Sequence, residues 1–142
     1  MAIHVRHSGI VTDDLESSLK FYGDFLGFTE VRRMEEHNPF IATVLGLEGV
    51  DVTTIKMSDP GGGQIELLHF KSHPKEKGER EINDIGISHV AFTVDNVNQL
   101  YENLKNSGVP FISSPRLSDD GGATVAFCSA PEGTFIELVE LM

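Results

Sequence analysis

Ser58-Asp59-Pro60-Gly61-Gly62-Gly63-Gln64-Ile65-Glu66-Leu67-Leu68 and Ser129-Ala130-Pro131-Glu132-Gly133-Thr134-Phe135-Ile136-Glu137-Leu138-Val139 are two copies of one pattern. Six of the eleven positions are identical, at an offset of 71 residues. Each copy reads as a Pro/Gly turn feeding a strand with apolar side chains on one face and a glutamate on the other. Upstream, His7-Ser8-Gly9-Ile10-Val11-Thr12-Asp13 faces His89-Val90-Ala91-Phe92-Thr93-Val94-Asp95 at an offset of 82. Only the His and the Asp are identical there, but the apolar pattern matches. Both segments lead into an amphipathic stretch, Leu15–Leu26 stopped by Gly27 and Val97–Asn106 stopped near Gly108. The chain is therefore a tandem repeat. Its first copy has eleven more residues between His and Glu.

Alternation and β-rich composition predict strands over Ala2–Val11, Thr29–Glu35, Val50–Met57, Gln64–Phe70, Ile87–Val94, Phe111–Ser113, Gly122–Ser129 and Thr134–Glu140. A short helix is expected over Asn38–Leu45, with Phe40, Ile41, Val44 and Leu45 sharing a face. Each half is then close to β-α-β-β-β. The expected class is α+β, with two half-barrels of sheet and the helices outside. Lys71–Asp84, rich in charge and carrying Pro74 and Gly78, reads as a linker. The expected modules are 1–77 and 78–142 of a single domain.

The length of 142 residues suits one ordinary domain. Acids outnumber bases 22 to 11, for a formal charge of −11. That balance argues against a nucleic-acid partner and against docking on anionic membranes. Cys128 is the sole cysteine, which excludes an intramolecular disulfide and a cysteine-based zinc site. Met1–Gly9 lacks a basic-then-apolar signal pattern, so a cytoplasmic protein is expected.

The repeat singles out His7, Glu66, His89 and Glu137. Alternation sets Glu66 opposite Ile65 and Leu67, and Glu137 opposite Ile136 and Leu138. A lone strand Glu or His is ordinarily a solvated or hydrogen-bonded group. Four at matched places in two repeats are a sharper signal. Two imidazoles and two carboxylates suit one divalent ion per site, among nickel, zinc, cobalt, manganese and iron. Four protein ligands on a six-coordinate ion leave two positions for substrate oxygens. Such a site can polarise a carbonyl and stabilise an enolate while a carboxylate moves the proton. The Pro60-Gly61-Gly62-Gly63 loop precedes a strand rather than a helix, so it reads as a turn and not as a phosphate cradle.

These motifs resemble the vicinal oxygen chelate superfamily of glyoxalase I, bleomycin-resistance and dioxygenase type. The carriers are His7-Ser8-Gly9-Ile10, Ser18-Leu19-Lys20-Phe21-Tyr22-Gly23-Asp24-Phe25-Leu26-Gly27-Phe28, Gln64-Ile65-Glu66-Leu67, Ser88-His89-Val90-Ala91-Phe92 with Asp95, and Pro131-Glu132-Gly133-Thr134-Phe135-Ile136-Glu137-Leu138. The resemblance implies paired βαβββ modules forming an eight-stranded incomplete barrel, a metal in its cavity and a homodimer. Carried over by motif, the metal ligands are His7, Glu66, His89 and Glu137. Glutamate at the place of Glu66 is the glyoxalase I pattern; methylmalonyl-CoA epimerases usually place Gln there, and extradiol dioxygenases have no acid there.

The resemblance thus implies a metal-dependent lyase or isomerase acting on a small α-oxygenated carbonyl compound. Glu137 is its first choice as catalytic base and Glu66 its second. The alternatives are an epimerase of the methylmalonyl-CoA or cyclitol type, an extradiol-type dioxygenase, and a non-enzymatic ligand-binding resistance protein. The segment Phe40–Val50 replaces the short hairpin that a simple glyoxalase I would have, and no glutathione-binding pattern is evident. Arg6, Arg32, Arg33 and Arg116 are candidates for holding a carboxylate or phosphate. His37 is a candidate for a cavity mouth. His69 points to the face opposite Glu66, and Tyr22 is expected to pack within its helix.

Overall fold

Short polar caps start the helices, glycines stop them, and the two halves build separate sheets. The computed structural model describes residues 1–142. The chain divides into two compact units, Met1–Lys77 and Gly78–Met142. No helix is long and apolar enough to cross a membrane.

In the first unit, β1 (Ser8–Val11), β2 (Thr29–Glu36), β3 (Val52–Ser58) and β4 (Gln64–Phe70) form one sheet in the order β1-β4-β3-β2. The β1–β4 pair is parallel and the others are antiparallel. Helix α1 (Leu15–Leu19) is capped by Asp14, whose carboxylate accepts the Ser17 amide at 3.1 Å and the Ser17 hydroxyl at 2.7 Å. The single helix expected over Leu15–Leu26 changes character midway, with Lys20–Phe25 forming a π-helical turn. The wider turn swings two consecutive aromatics, Phe21 and Tyr22, into the core. Their rings meet edge-on, with centroids 4.9 Å apart. Gly27 ends the segment at φ +83, a backbone angle glycine tolerates at no steric cost.

One face of this sheet buries Ile10, Ile55, Met57, Ile65 and Leu67. The other carries Glu66. Helix α2 (Pro39–Leu45), capped by the Asn38 side chain, covers one end of that second face. There Ile41, Val50 and Val52 pack with Ala42, Leu47, Leu68 and Phe70. The shared apolar face expected of Phe40, Ile41, Val44 and Leu45 does not form. Ile41 alone of the four is buried, while Phe40, Val44 and Leu45 are exposed. A two-turn helix over a sheet edge buries one narrow stripe.

In the second unit, β5 (His89–Thr93), β6 (Arg116–Leu117), β7 (Ala123–Ser129) and β8 (Phe135–Leu141) follow the equivalent order β5-β8-β7-β6. The β5–β8 pair is again parallel. Helix α3 (Val97–Asn106) has its first turn held from two sides. Asn96 Oδ1 accepts the Gln99 amide at 2.9 Å, and Glu140 Oε1 accepts the Val97 amide at 2.8 Å. Val97 and Leu104 are buried with Ala126, Cys128, Ile136 and Leu138.

The class is α+β and each half is a βαβββ module, as expected, with the eight strands in two four-stranded sheets. Gln64–Phe70 matches its expected bounds; the largest departures are at β1 and at Phe111–Ser113, and the other strand ends shift by one or two residues. Neither Ala2–His7 nor Ile87–Ser88 enters a ladder: β1 pairs with β4 from Ser8 opposite Ile65, and β5 pairs with β8 from His89 opposite Phe135, the first residue of β8. Phe111–Ser113 makes only one bridge, Phe111 to Cys128, and the edge strand forms at Arg116–Leu117. Pro110 and Pro115 bracket the lost strand and supply no amide donors.

Candidate metal centre

Parallel pairing of the first and last strands of each unit sets the candidate residues beside one another. In the first unit Gly9 stands opposite Glu66, so His7, two residues earlier, lies on the Glu66 face. His7 Nε2 is 3.7 Å from Glu66 Oε1. In the second unit Ala91 stands opposite Glu137, so His89 takes the same relative place. His89 Nε2 is 3.3 Å from Glu137 Oε1. The side chains of His7 and Glu66 are 25% and 17% exposed, and those of His89 and Glu137 33% and 23%. They are reachable but not freely solvated.

A hydrogen-bond chain settles the His89 tautomer. The Ser88 hydroxyl donates its one proton to the Ile82 carbonyl at 2.7 Å. It can only accept at the 3.0 Å contact with His89 Nδ1, so Nδ1 carries the hydrogen. In the neutral ring Nε2 then presents a bare lone pair to the Glu137 carboxylate. Two lone-pair atoms 3.3 Å apart repel each other unless a proton or a metal cation lies between them. In the first unit His7 Nδ1 is buried without a hydrogen-bond partner, a costly condition for a polar atom.

The donor set fits a divalent metal ion. Nitrogen and oxygen ligands about 2.1 Å from such an ion stand roughly 3.0–3.4 Å apart at octahedral to tetrahedral angles. The His89–Glu137 separation falls within that span and the His7–Glu66 separation slightly outside it. Neither unit by itself gathers three or more His, Cys, Asp or Glu side chains able to hold a metal ion. Each holds one His–Glu pair.

The remaining candidates separate cleanly. His69 lies on the face away from Glu66, with its Nδ1 3.1 Å from the Thr12 carbonyl. Tyr22 is fully buried. Arg33 is engaged with Glu30 at 2.6 Å. Arg6, Arg32 and Arg116 are exposed. His37 Nδ1 contacts the Val50 carbonyl at 3.0 Å. With Asn38, Ala42, Thr43, Glu48 and Val50, His37 lines an open cavity of about 660 Å³ along α2. Burial pushes the Cys128 thiol up to about 12, which leaves it inert.

Two neighbours of the candidate ligands escaped sequence reasoning. Ser88 precedes His89, but the equivalent position before His7 is Arg6, so the repeat carries no signal for it. Lys56 is the β3 register partner of Glu66. It becomes visible only once the hairpin turn at Asp59–Gly63 is given its length.

Comparison with known proteins agrees with this architecture. The chain is 30% identical over 142 residues to a lactoylglutathione lyase of Schizosaccharomyces pombe, covering 95% of this chain and 46% of that protein. The chain thus spans less than half the length of that relative. It is 27% identical over 145 residues to a lactoylglutathione lyase of Pseudomonas aeruginosa, covering 95% of this chain and 81% of that one. A crystal structure of a glyoxalase family protein from Bacillus cereus superposes with a TM-score of 0.92, covering 100% of this chain and 96% of that one at 21% identity. That likeness bears on the fold. The family model described as the Glyoxalase/Bleomycin resistance protein/Dioxygenase superfamily matches residues 4–138. With the module repeated twice and a model match over nearly its whole length, the chain belongs to the Glyoxalase/Bleomycin resistance protein/Dioxygenase superfamily.

Proposed function

We propose that the protein is a divalent-metal-dependent lyase or isomerase of the glyoxalase type, with His7, Glu66, His89 and Glu137 as the metal ligands. The observation that carries this reading is the His–Glu pair repeated in both units, His7 Nε2 3.7 Å from Glu66 Oε1 and His89 Nε2 3.3 Å from Glu137 Oε1. The names of the relatives, lactoylglutathione lyases, support the same reaction class. So does the presence of Glu rather than Gln at position 66.

A divalent ion held by these residues would supply Lewis acidity towards the enolate of a small α-oxygenated carbonyl substrate. The chain's own residues orient the reactants and move the proton. Ser88 holds the His89 ring with Nε2 towards Glu137. Glu137 removes a proton from the carbon beside the carbonyl and returns it to the neighbouring carbon or oxygen. A carboxylate bound to a cation would be a weak base, so the base role asks for a Glu137 carboxylate free to take the proton, with His7, Glu66 and His89 as the other residues that would hold the ion. The homodimer implied by the resemblance belongs to the same proposal, and sedimentation velocity checks it.

The test is proton exchange in deuterated water. With the hemithioacetal of methylglyoxal and a thiol, the wild-type protein should wash solvent deuterium into the product. Glu137→Gln should lower that rate by at least a hundredfold with the metal content retained. Turnover near the wild-type rate in Glu137→Gln would remove Glu137 from the base role. Deuterium entering recovered substrate without net rearrangement would point to epimerase chemistry.

A further inference from the structure

The sheet face that carries His7 and Glu66 also holds two basic side chains with no part in the metal reading. Lys56 on β3 is the register partner of Glu66, and Arg32 on β2 is the register partner of Lys56. Opposed residues of an antiparallel ladder project to the same face. Glu66, Lys56 and Arg32 therefore form one row across three strands. The β-bulge between Glu30 and Arg32 matters here. Without it Val31 would stand opposite Lys56; with it, Arg32 takes the place. Arg33 and Lys71 are tied to Glu30 and Glu35, whereas neither Lys56 nor Arg32 makes an ion pair.

The other repeat shows that this is not a general property of the module. The position equivalent to Lys56 is Phe127, the register partner of Glu137, and its ring stands edge-on to His89 at 5.0 Å. Two carboxylates also neutralise a divalent ion, so the proposed centre holds no surplus charge for a further anionic group. Lys56 and Arg32 supply that charge, roughly 5 and 10 Å from Glu66 at one and two strand spacings. We infer that Lys56 and Arg32 are specificity residues that select a substrate bearing a carboxylate or phosphate group beside its α-oxygenated carbonyl. The inference rests on the metal reading of His7, Glu66, His89 and Glu137.

The test is calorimetric binding of two matched hydroxamate pairs to the zinc-loaded protein. Succinic monohydroxamate against butyrohydroxamate tests a carboxylate; phosphoglycolohydroxamate against glycolohydroxamate tests a phosphate. The charged member of at least one pair should bind about tenfold or more tighter, as expected for charge-assisted bonds at a partly exposed site. The pair with the larger ratio identifies the anion. The preference should vanish in Lys56→Gln/Arg32→Gln and survive in Lys56→Arg. Neutral-hydroxamate affinity and zinc content should not change. Equal binding of charged and neutral members, or a preference that survives the double substitution, overturns the inference and leaves the metal reading intact. If no hydroxamate binds the wild-type protein, the metal reading falls and this inference falls with it.

Discussion

Replacing Ser88 by Ala isolates the geometry of one candidate ligand without touching a ligand. The change removes both the acceptor for His89 Nδ1–H at 3.0 Å and the donor to the Ile82 carbonyl at 2.7 Å. That carbonyl lies in an exposed segment, so water replaces the lost donor and the fold should lose no more than about 0.5 kcal/mol. The ring, one third exposed, is freed to rotate and to shift its hydrogen to Nε2, where it opposes metal binding. Removing such an orienting partner typically costs 10- to 100-fold in metal affinity, and the exposure of His89 points to the lower end, about tenfold or 1.4 kcal/mol. Zinc titration against a chromophoric chelator reads this directly, with Ser88→Thr expected to keep wild-type affinity. Affinity within twofold of wild type in Ser88→Ala would refute the orienting role, and with it the tautomer argument.

Three other outcomes follow from burial and charge. Cys128, buried with its thiol pushed up to about 12, should react with 5,5′-dithiobis(2-nitrobenzoate) at pH 8 only after denaturation. Leu138→Ala, at a fully buried position of β8, should cost about 2–5 kcal/mol in urea unfolding. Hydrogen bonds from Lys71 and then Thr53 hold the Glu35 carboxyl below the usual carboxylate range. Its contribution is therefore complete above the usual carboxylate pKa and is lost as pH falls through the depressed value. In Glu35→Gln the acid limb of the urea midpoint should flatten, while a limb identical to wild type would show that the pairing is not felt in folding.

Elements with strong local signals were legible, and those set by partners were not. Val97–Asn106 carries its own cap in Asn96 and its own stop at Gly108, and β4 lies between a glycine turn and a charged linker. The start of β1 depends instead on its register with β4, and the loss of a strand at Phe111–Ser113 on flanking prolines. The π-helical turn at Lys20–Phe25 answers to the packing of Phe21 and Tyr22, which periodicity alone reads as ordinary helix. The candidate site divides the same way. The repeat singles out His7, Glu66, His89 and Glu137, but the separations within each pair come from parallel register. Ser88 acts through a carbonyl six residues away in the chain, and Lys56 and Arg32 meet Glu66 through two antiparallel ladders and a bulge.

The central claim, that the two His–Glu pairs serve one divalent ion, is tested most directly by metal content. The protein is purified without chelator or affinity nickel and analysed by elemental mass spectrometry. The account predicts about one divalent ion per chain, lost in Glu66→Gln/Glu137→Gln with the fold retained by circular dichroism. An ion that persists in the double variant, or none bound after incubation with nickel, zinc, cobalt, manganese and ferrous iron in turn, would contradict it.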